Sequence, residues 1–420
     1  MADRTGVESV LGSFPLRDRT GQNLMSLEFN SDAIKHGGST RRRFLAVTGG
    51  TVSVALPFAM LALGADRAHQ GPESGSLRRI RRNLTKLSPT DKAELVEAIL
   101  KLKKAPSPFD VRFNYYDQLV AWHLLAQCCP KPEHPDTPWP SHDNPAIWPW
   151  HRILLHLFEE GLEVVTGKSI AIPYWDWTNP DSLDEVFADD FMGPRRGDPE
   201  QDYVITTGPF RKGAWRLNVL SPPSGDPGQS RWLVRAFGVN DEPDLGMPTA
   251  KELEEAMALT LYDVAPFDIT SDPGRSFRAR LDGHYGLKGK RCSGDGIEEI
   301  VPGPAPKPAK LHAAVHRYVG GSFKVGNRMW FGTLKTHASP NDPVFFLHHA
   351  FLDKVWADWI ARHGRIYQPE KEIPKTGNML VGVPGLNTPI PPFDRVAPGT
   401  CTVASVLDHT KLGYTYDTAK

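Results

Sequence analysis

Histidines on two neighbouring segments in the last third of the chain constrain the fold more than any other sequence feature. His312 and His316 are four residues apart, so on a helix their rings emerge on the same face. The next helix is predicted to begin with Asp342 as its N-cap and a proline at its first position, and it carries the adjacent pair His348 and His349. Two imidazoles on one helix and a third on its neighbour are what a metal that prefers nitrogen ligands requires. The spacing therefore predicts a three-histidine metal site between these two helices.

Three further histidines repeat this theme earlier in the chain. His123 lies on a helix predicted over about Phe109–Gln127. His142 follows a proline-rich loop, and His151 leads into an apolar helix predicted over Ile153–Val165. Any one of these histidines, taken alone, is more typical of a hydrogen-bonded core residue than of a metal ligand. Together with the later group they indicate two three-histidine sites that face each other.

The donor set of these blocks indicates which metal they bind. Neutral imidazoles stabilise both oxidation states of copper, and nitrogen-rich sites favour copper over hard cations. The candidate ligands are six histidines and no carboxylate, which argues against di-iron, since di-iron uses Glu and Glu-x-x-His helices. A structural zinc protein is the alternative, although two adjacent all-histidine sites are unusual for zinc. The pattern therefore predicts a pair of copper ions.

The composition excludes some classes of function. The 420 residues contain 49 Lys and Arg against 49 Asp and Glu, so the balance of charge does not favour a nucleic-acid partner. The 38 Pro and 11 Trp are typical of a loop-rich enzyme rather than a helical repeat. The four Cys lack the C-x-x-C spacing of a zinc or redox site. The composition is therefore that of a loop-rich enzyme.

A basic segment followed by an apolar run lies near the N-terminus. Thr40-Arg41-Arg42-Arg43-Phe44-Leu45 precedes a weakly apolar run that contains glycines and a proline. This pattern is typical of a twin-arginine export signal, and a basic surface turn before a core helix is the alternative. The run is interrupted and barely long enough to span a bilayer, so no permanent membrane anchor is expected. Residues 1–68 are therefore predicted to be an export leader with a disordered n-region over 1–39, and the protein to be periplasmic or extracellular.

The remaining segments are expected to form the scaffold. Ser88 is a predicted N-cap, with a proline at the first helical position after it. A short helix is expected over Ala250–Leu259, within long loops that extend from 180 to 300. The aromatic segment Ala171–Trp177 is interpreted as packing against the helices.

The histidine blocks resemble those of the tyrosinase superfamily, which comprises tyrosinases, catechol oxidases, o-aminophenol oxidases and hemocyanins with a dinuclear type 3 copper centre. The most specific matches are Pro149-Trp150-His151-Arg152 and the run from Asn341 to Asp353, with a terminal Tyr-x-Tyr at Tyr414 and Tyr416. The resemblance implies a mainly α fold, a four-helix bundle that holds the copper pair, with long loops and a few short strands. It implies a dicopper catalytic domain over 69–365 and a C-terminal extension over 366–420 that packs on the same domain.

The resemblance also implies the role of each histidine. The family's third ligand at the second copper lies four residues before a helix aspartate, here Asp353, which selects His349. His348 is then expected to point to another side of the helix and to make a hydrogen bond. Arg152 is expected to pair with Asp353, and Phe345 to pack over a ligand ring. The implied ligands are His123, His142 and His151 for the first copper and His312, His316 and His349 for the second.

Departures from the family pattern bear on the substrate. Many members that hydroxylate monophenols strongly have Asn directly after the first ligand of the second site, where this chain has Ala313. That Asn and an acid orient a water that deprotonates the phenol. Asp282 is the expected counterpart of the acid, with Glu298 and Glu299 as rivals. Pro140 replaces the Cys that forms a thioether in some members, so that crosslink is not expected.

The resemblance therefore implies an enzyme that uses O2 to oxidise o-diphenols or o-aminophenols to o-quinones or quinone imines, with weaker monophenol hydroxylation. The alternative is a hemocyanin-like reversible O2 carrier. The expected partner is a small phenolic substrate. An accessory protein that loads copper is compatible with the resemblance, and the oligomeric state is left open.

Overall fold

The computed structural model describes residues 79–127, 141–142, 144–220, 230–239, 242, 244–284, 310–374, 382–394 and 401–418. It also describes the backbone of residues 395–396 and of four strands over 13–17, 23–28, 290–293 and 296–299. The twin-arginine motif and the apolar run after it lie outside these residues. The chain divides into two compact units, Met1–Gln70 and Gly71–Lys420.

The first unit contains an antiparallel pair of strands, β1 (Ser13–Arg17) and β2 (Asn23–Glu28). The sequence predicts a disordered n-region over these residues, and the structure differs there. The register pairs Phe14 with Leu27 and Leu16 with Met25, so apolar residues oppose each other.

The second unit is mostly helical with a few short strands, which confirms the predicted mainly α fold. Its strands are β3 (Arg79–Arg81), β4 (Lys290–Ser293), β5 (Gly296–Glu299), β6 (Ser322–Val325), β7 (Arg328–Phe331) and β8 (Tyr414–Tyr416). Its helices are α1 (Pro89–Leu102), α2 (Tyr115–Gln127), α3 (Ile147–Thr166), α4 (Ser182–Val186), α5 (Ala250–Met257), α6 (Phe277–Asp282), α7 (Leu311–Gly320), α8 (Val344–His363), α9 (Phe393–Val396) and α10 (Val403–Val406).

Helix α2 begins at Tyr115, six residues later than predicted. The chain before it forms turns in which the Ser107 hydroxyl accepts from the Phe109 and Asp110 amides. Asn114 then accepts from the Asp117 amide at 2.8 Å, which caps the helix. The local hydrogen bonds of Ser107 and Asn114 therefore overrule the apolar periodicity on which the prediction was based.

Helices α3 and α8 also begin at residues other than those predicted. α3 begins at Ile147 rather than Ile153, so His151 lies inside the helix. A proline in its first turn is compatible with this because the amide there has no helical partner. α8 begins at Val344, one residue after the predicted start, and the Asp342 carboxylate accepts from the Val344 amide at 3.1 Å. The N-cap is therefore Pro343 rather than the predicted Asp342, and Asp342 accepts one hydrogen bond from just before the helix.

The two ends of the second unit are joined by a parallel pairing of β3 with β8. The pairing brings Arg81 and Tyr416 into register. Arg81 is fully buried and donates to Glu159 on α3 at 2.8 and 2.9 Å and to Asp353 on α8 at 2.9 Å. The terminal strands therefore fasten two of the histidine-bearing helices to each other. Within the part of the chain that is described, no helix has both the length and the apolar character needed to cross a bilayer.

Candidate metal centre

The first histidine group combines side chains from two helices and the loop between them. His123 comes from α2, His142 from the loop and His151 from α3. All three are buried, and one ring nitrogen of each lies within 4.8 Å of those of the other two. The structure therefore brings together the three histidines that the sequence places in the first site.

Hydrogen bonds made by Nδ1 fix the orientation of the rings in the first group. His123 Nδ1 donates to the His337 carbonyl at 2.9 Å, and His151 Nδ1 donates to the Ile147 carbonyl at 2.8 Å. His142 Nδ1 lies 2.8 Å from the Ser141 hydroxyl. Because Nδ1 carries the proton in His123 and His151, Nε2 has the lone pair that a metal binds.

The second group contains four histidines rather than three. Ring nitrogens of His312, His316, His348 and His349 lie within 4.8 Å of one another. His316 Nδ1 donates to the Leu334 carbonyl at 2.7 Å, and its Nε2 lies 3.1 Å from Nε2 of His349. Two nitrogens bound to one ion at the usual bond length lie about 3.3 Å apart. The His316 and His349 nitrogens are therefore spaced like two ligands of one ion.

The two groups face each other across one buried space. The rings of His151 and His349 stack with centroids 4.3 Å apart and an angle of 11° between their planes. His142 and His312 stack at 6.1 Å and 26°. Each of these pairs joins a histidine of the first group to one of the second. The two sites are therefore close enough to share a bridging ligand.

The chemistry of the two groups fits metal binding. Among the described residues, Nε2 of His123, His151 and His312 is buried and has no hydrogen-bond partner. An unsatisfied buried nitrogen costs free energy unless a ligand binds it. Burial lowers the pKa of His151 to about 3 and lowers the pKa of His123 and His316 well below their usual range. The rings are therefore neutral, as metal ligation requires.

Comparisons with known proteins agree with this arrangement. The family model for the common central domain of tyrosinase matches residues 114–362. Grixazone synthase from Streptomyces griseus subsp. griseus is 34% identical over 353 residues, which cover 80% of this chain and 99% of that protein. The tyrosinase of Streptomyces antibioticus is 32% identical over 342 residues, with coverage of 80% and 99%. The chain belongs to the tyrosinase family.

A solved structure supports the fold separately. A mutant polyphenol oxidase from Thermothelomyces thermophila matches with a TM-score of 0.52 and 20% identity, over 85% of this chain and 94% of that chain. As a member of the tyrosinase family, the protein is a copper oxidoreductase with a dinuclear copper cofactor and O2 as co-substrate. The two histidine groups are where this chain could hold the two ions.

In this tyrosinase-family chain, α8 supplies an aromatic ring that packs on the histidines and an aspartate that forms a buried ion pair. Phe345 lies with its ring centroid 4.0 Å from that of His349 and 5.0 Å from that of His123, so it touches both groups. Arg152 Nε donates to Asp353 Oδ1 at 2.6 Å, which confirms the predicted pair. Burial alone would raise the pKa of Asp353, but Arg152 and Arg81 hold it at about 2.

Asp282 lies directly beside the second group. Its Oδ1 accepts from His312 Nδ1 at 3.1 Å and lies 3.2 Å from His284 Nδ1. Burial would raise the pKa of Asp282, but His284 and then His312 outweigh this and lower it. Asp282 therefore stays ionised and holds His312 with Nε2 free for a metal. The side chains of its rivals Glu298 and Glu299 lie outside the described residues, as does Pro140.

Ala313 follows His312 on α7 and is only 1% exposed. It belongs to a buried apolar cluster with Leu245, Ala314 and Tyr318. The loop before α5 therefore places an apolar side chain in the cluster that contains Ala313.

Three kinds of group in this site were not predicted from the sequence. The Leu334 and His337 carbonyls orient one ring in each group, and a carbonyl has no sequence signal because every residue has one. His284, two residues after Asp282, was not considered. Trp177 was interpreted only as packing, yet its indole Nε1 donates to Nδ1 of His348 at 3.1 Å. The predicted hydrogen bond of His348 is therefore present.

Proposed function

We propose that the protein uses O2 to oxidise o-diphenols or o-aminophenols to o-quinones or quinone imines. The observation that carries the proposal is the convergence of two buried histidine groups whose rings stack on each other. Grixazone synthase and tyrosinase among the relatives are consistent with it. The proposed ligands are His123, His142 and His151 for one copper ion and His312, His316 and His349 for the other.

When bound by the two histidine groups, a copper pair would supply the electron transfer between the phenol and O2. Two molecules of o-diphenol each lose two electrons and two protons, and one O2 takes up four of each to give two waters. The chain orients the imidazoles through Asp282 and through the carbonyls of Ile147, Leu334 and His337. Phe345 packs against one ring of each histidine group, those of His349 and His123.

The preference for substrates that already carry two ortho heteroatoms rests on Ala313 and Asp282. Ala313 has no amide with which to hold a water. Asp282 is occupied by His312 and lies near His284. The means of deprotonating a monophenol is therefore weak, and monophenol hydroxylation is expected to be slower than diphenol oxidation.

Oxygen consumption by the copper-loaded protein tests this proposal. A catechol, the matched o-aminophenol and the matched monophenol are compared at equal concentrations. We expect turnover of the first two and a lower rate with the monophenol. Reversible O2 binding without turnover of any substrate would identify an oxygen carrier instead, and zinc rather than copper in the purified protein would refute both functions.

We also propose that the protein is exported by the twin-arginine route to the periplasm or the exterior. The support is the sequence from Thr40 to Leu45 and the weakly apolar run that follows. Cell fractionation should find the protein outside the cytoplasm, and the double variant Arg41→Lys and Arg42→Lys should remain inside. Wild-type protein that stays in the cytoplasm would contradict this.

A small phenolic substrate is the partner that this function requires. An accessory protein that loads copper before export is part of the same proposal, since a folded chain must receive its metal before it leaves the cell. Copper content of the protein produced alone should then be lower than after loading with copper in vitro. Full copper content without help would remove the need for such a partner.

A further inference from the structure

Two adjacent histidines on α8 are both candidates for the third metal ligand of the second group. His348 and His349 are both buried, and a ring nitrogen of each lies within 4.8 Å of those of His312 and His316. The proposed function needs one of them as the third ligand of the second copper. Proximity alone therefore does not decide between them.

Hydrogen bonding distinguishes the two rings. The Trp177 indole can only donate, and it donates to Nδ1 of His348 at 3.1 Å. Nδ1 of His348 must therefore carry the lone pair. A neutral imidazole has one lone pair and one N–H, so Nε2 of His348 carries the proton and cannot bind a metal. Among the described residues this nitrogen is buried without a hydrogen-bond partner, like Nε2 of His312, so the Trp177 hydrogen bond is what separates the two. Nε2 of His349 instead lies 3.1 Å from Nε2 of His316, within the group.

The Trp177 indole is held in place, so its hydrogen bond can fix which nitrogen of His348 carries the proton. Trp177 is 2% exposed, and its ring meets that of Phe351 on α8 edge to face at 4.9 Å. The same segment is tied to α8 by its backbone, because the Trp175 amide donates to the Leu347 carbonyl at 3.1 Å. Trp177 therefore stays in register with the histidine pair on α8.

We propose that Trp177 is a positioning residue that selects His349 as the copper ligand by keeping His348 in the Nε2–H tautomer. This inference rests on the proposed copper function. It gives the segment Ala171–Trp177 a role beyond packing. Without the indole, His348 would be free to take the other tautomer and present Nε2 to the second site.

A rescue experiment tests the inference through the copper content of purified, loaded protein. We expect about two ions per chain in the wild type, as a dinuclear centre requires, and about one in His349→Ala. The double variant Trp177→Phe with His349→Ala should regain about two, because His348 then replaces the missing ligand. The control is Trp175→Phe with His349→Ala, since Trp175 is equally buried but donates to Ser182 at 2.9 Å. That control should stay at about one ion.

A second measurement needs no tryptophan variant. In the cuprous protein labelled with 15N-histidine, the His348 signals are assigned by their loss in His348→Gln. We expect His348 to carry its proton on Nε2 in the wild type. A proton on Nδ1, or a double variant that folds but stays at about one ion, would overturn the inference while leaving a two-copper wild type intact. A wild type that binds no copper would instead overturn the proposed function.

Discussion

Ala313 shows how a single residue can restrict the chemistry of the centre. It is buried beside Leu245 and Tyr318 in an apolar cluster, directly after His312 on α7. An amide placed there would be buried without a partner, which costs about 1–3 kcal/mol. An Asn at position 313 can therefore promote monophenol hydroxylation only if the cluster also has room for its amide and for a water.

Ala313→Asn alone is expected to lower stability and to change substrate preference little. Combined with Leu245→Ala, which opens the cluster, it should raise the rate of monophenol hydroxylation relative to diphenol oxidation about tenfold, since general-base help is worth at least that much. Paired steady-state rates on a monophenol and its diphenol measure the ratio. Leu245→Ala alone is the control.

If the wild type hydroxylates monophenols as fast as it oxidises diphenols, Ala313 does not limit the reaction.

At the scale of elements, one loop orients a ring in each histidine group. The Leu334 carbonyl accepts from His316, and the His337 carbonyl accepts from His123. The Thr336 hydroxyl closes the loop by donating to the Thr333 carbonyl at 2.9 Å. The loop therefore links the geometry of the two sites.

Thr336→Val removes this internal hydrogen bond without changing the shape of the side chain. We expect the copper affinity of both sites to fall together, by about tenfold, as is typical when the support of a ligand is lost. Competition with a copper chelator measures the two affinities. Thr270→Val is the control, because the Thr270 hydroxyl also donates a hydrogen bond within its own exposed loop, to the Asp268 carboxylate at 2.6 Å.

Loss at only one site, or equal loss in the Thr270 control, would show that the loop does not couple the two sites.

The elements also show what the sequence can and cannot predict. The apolar periodicity and the His312–His316 spacing predict the ligand helices because helical geometry is local. The predicted start of α2 is wrong because the hydrogen bonds of Ser107 and Asn114, rather than apolar periodicity, determine where the helix begins. The Leu334 and His337 carbonyls could not be predicted, since their role depends on where a loop folds back in space. The pairing of Arg152 with Asp353 was predictable because each residue lies just after a ligand histidine on its helix.

A buried ionic cluster joins four elements behind the histidines. Asp353 on α8 accepts from Arg152 on α3, Arg81 on β3, and the hydroxyls of Tyr414 and Tyr416 on β8. Removing one charge from a buried pair leaves the partner charge unpaired, which is more costly than losing a surface pair.

Asp353→Asn should therefore lower the free energy of unfolding by about 3–5 kcal/mol and loosen the His349 helix. Denaturant unfolding of the variant measures this. Asp358→Asn is the control, because Asp358 is half exposed and pairs with Lys354. A loss no larger than that of the control would show that the cluster is not a major source of stability.

At the scale of the whole molecule, the C-terminal segment makes stability depend on pH. His409 packs against Tyr414 and Tyr416 with tilted rings, whose centroids lie 5.3 and 5.6 Å from its own. Burial and then Arg152 lower the pKa of His409 to about 4, with Arg81 acting in the same direction and Asp353 and Asp408 opposing. In the unfolded chain the pKa of His409 is about 6.5. Below that pH, His409 binds a proton in the unfolded chain but not in the folded protein.

The free energy of unfolding should therefore fall as the pH falls from 6.5 towards 4, by about 2–3 kcal/mol from this residue. His409→Gln should remove that part of the pH dependence. Denaturant unfolding at pH 7, 5.5 and 4.5 measures it for both proteins. Parallel curves for the wild type and the variant would show that His409 is protonated equally in both states.

The central claim is that six histidines hold two copper ions that face each other across one buried space. The most direct test is the copper content of the loaded protein and of the six single His→Ala variants at these positions. The account predicts about two ions per chain in the wild type and about one in each variant, since each site loses one of its three ligands. A wild type with fewer than two ions, or variants that all retain both, would contradict it.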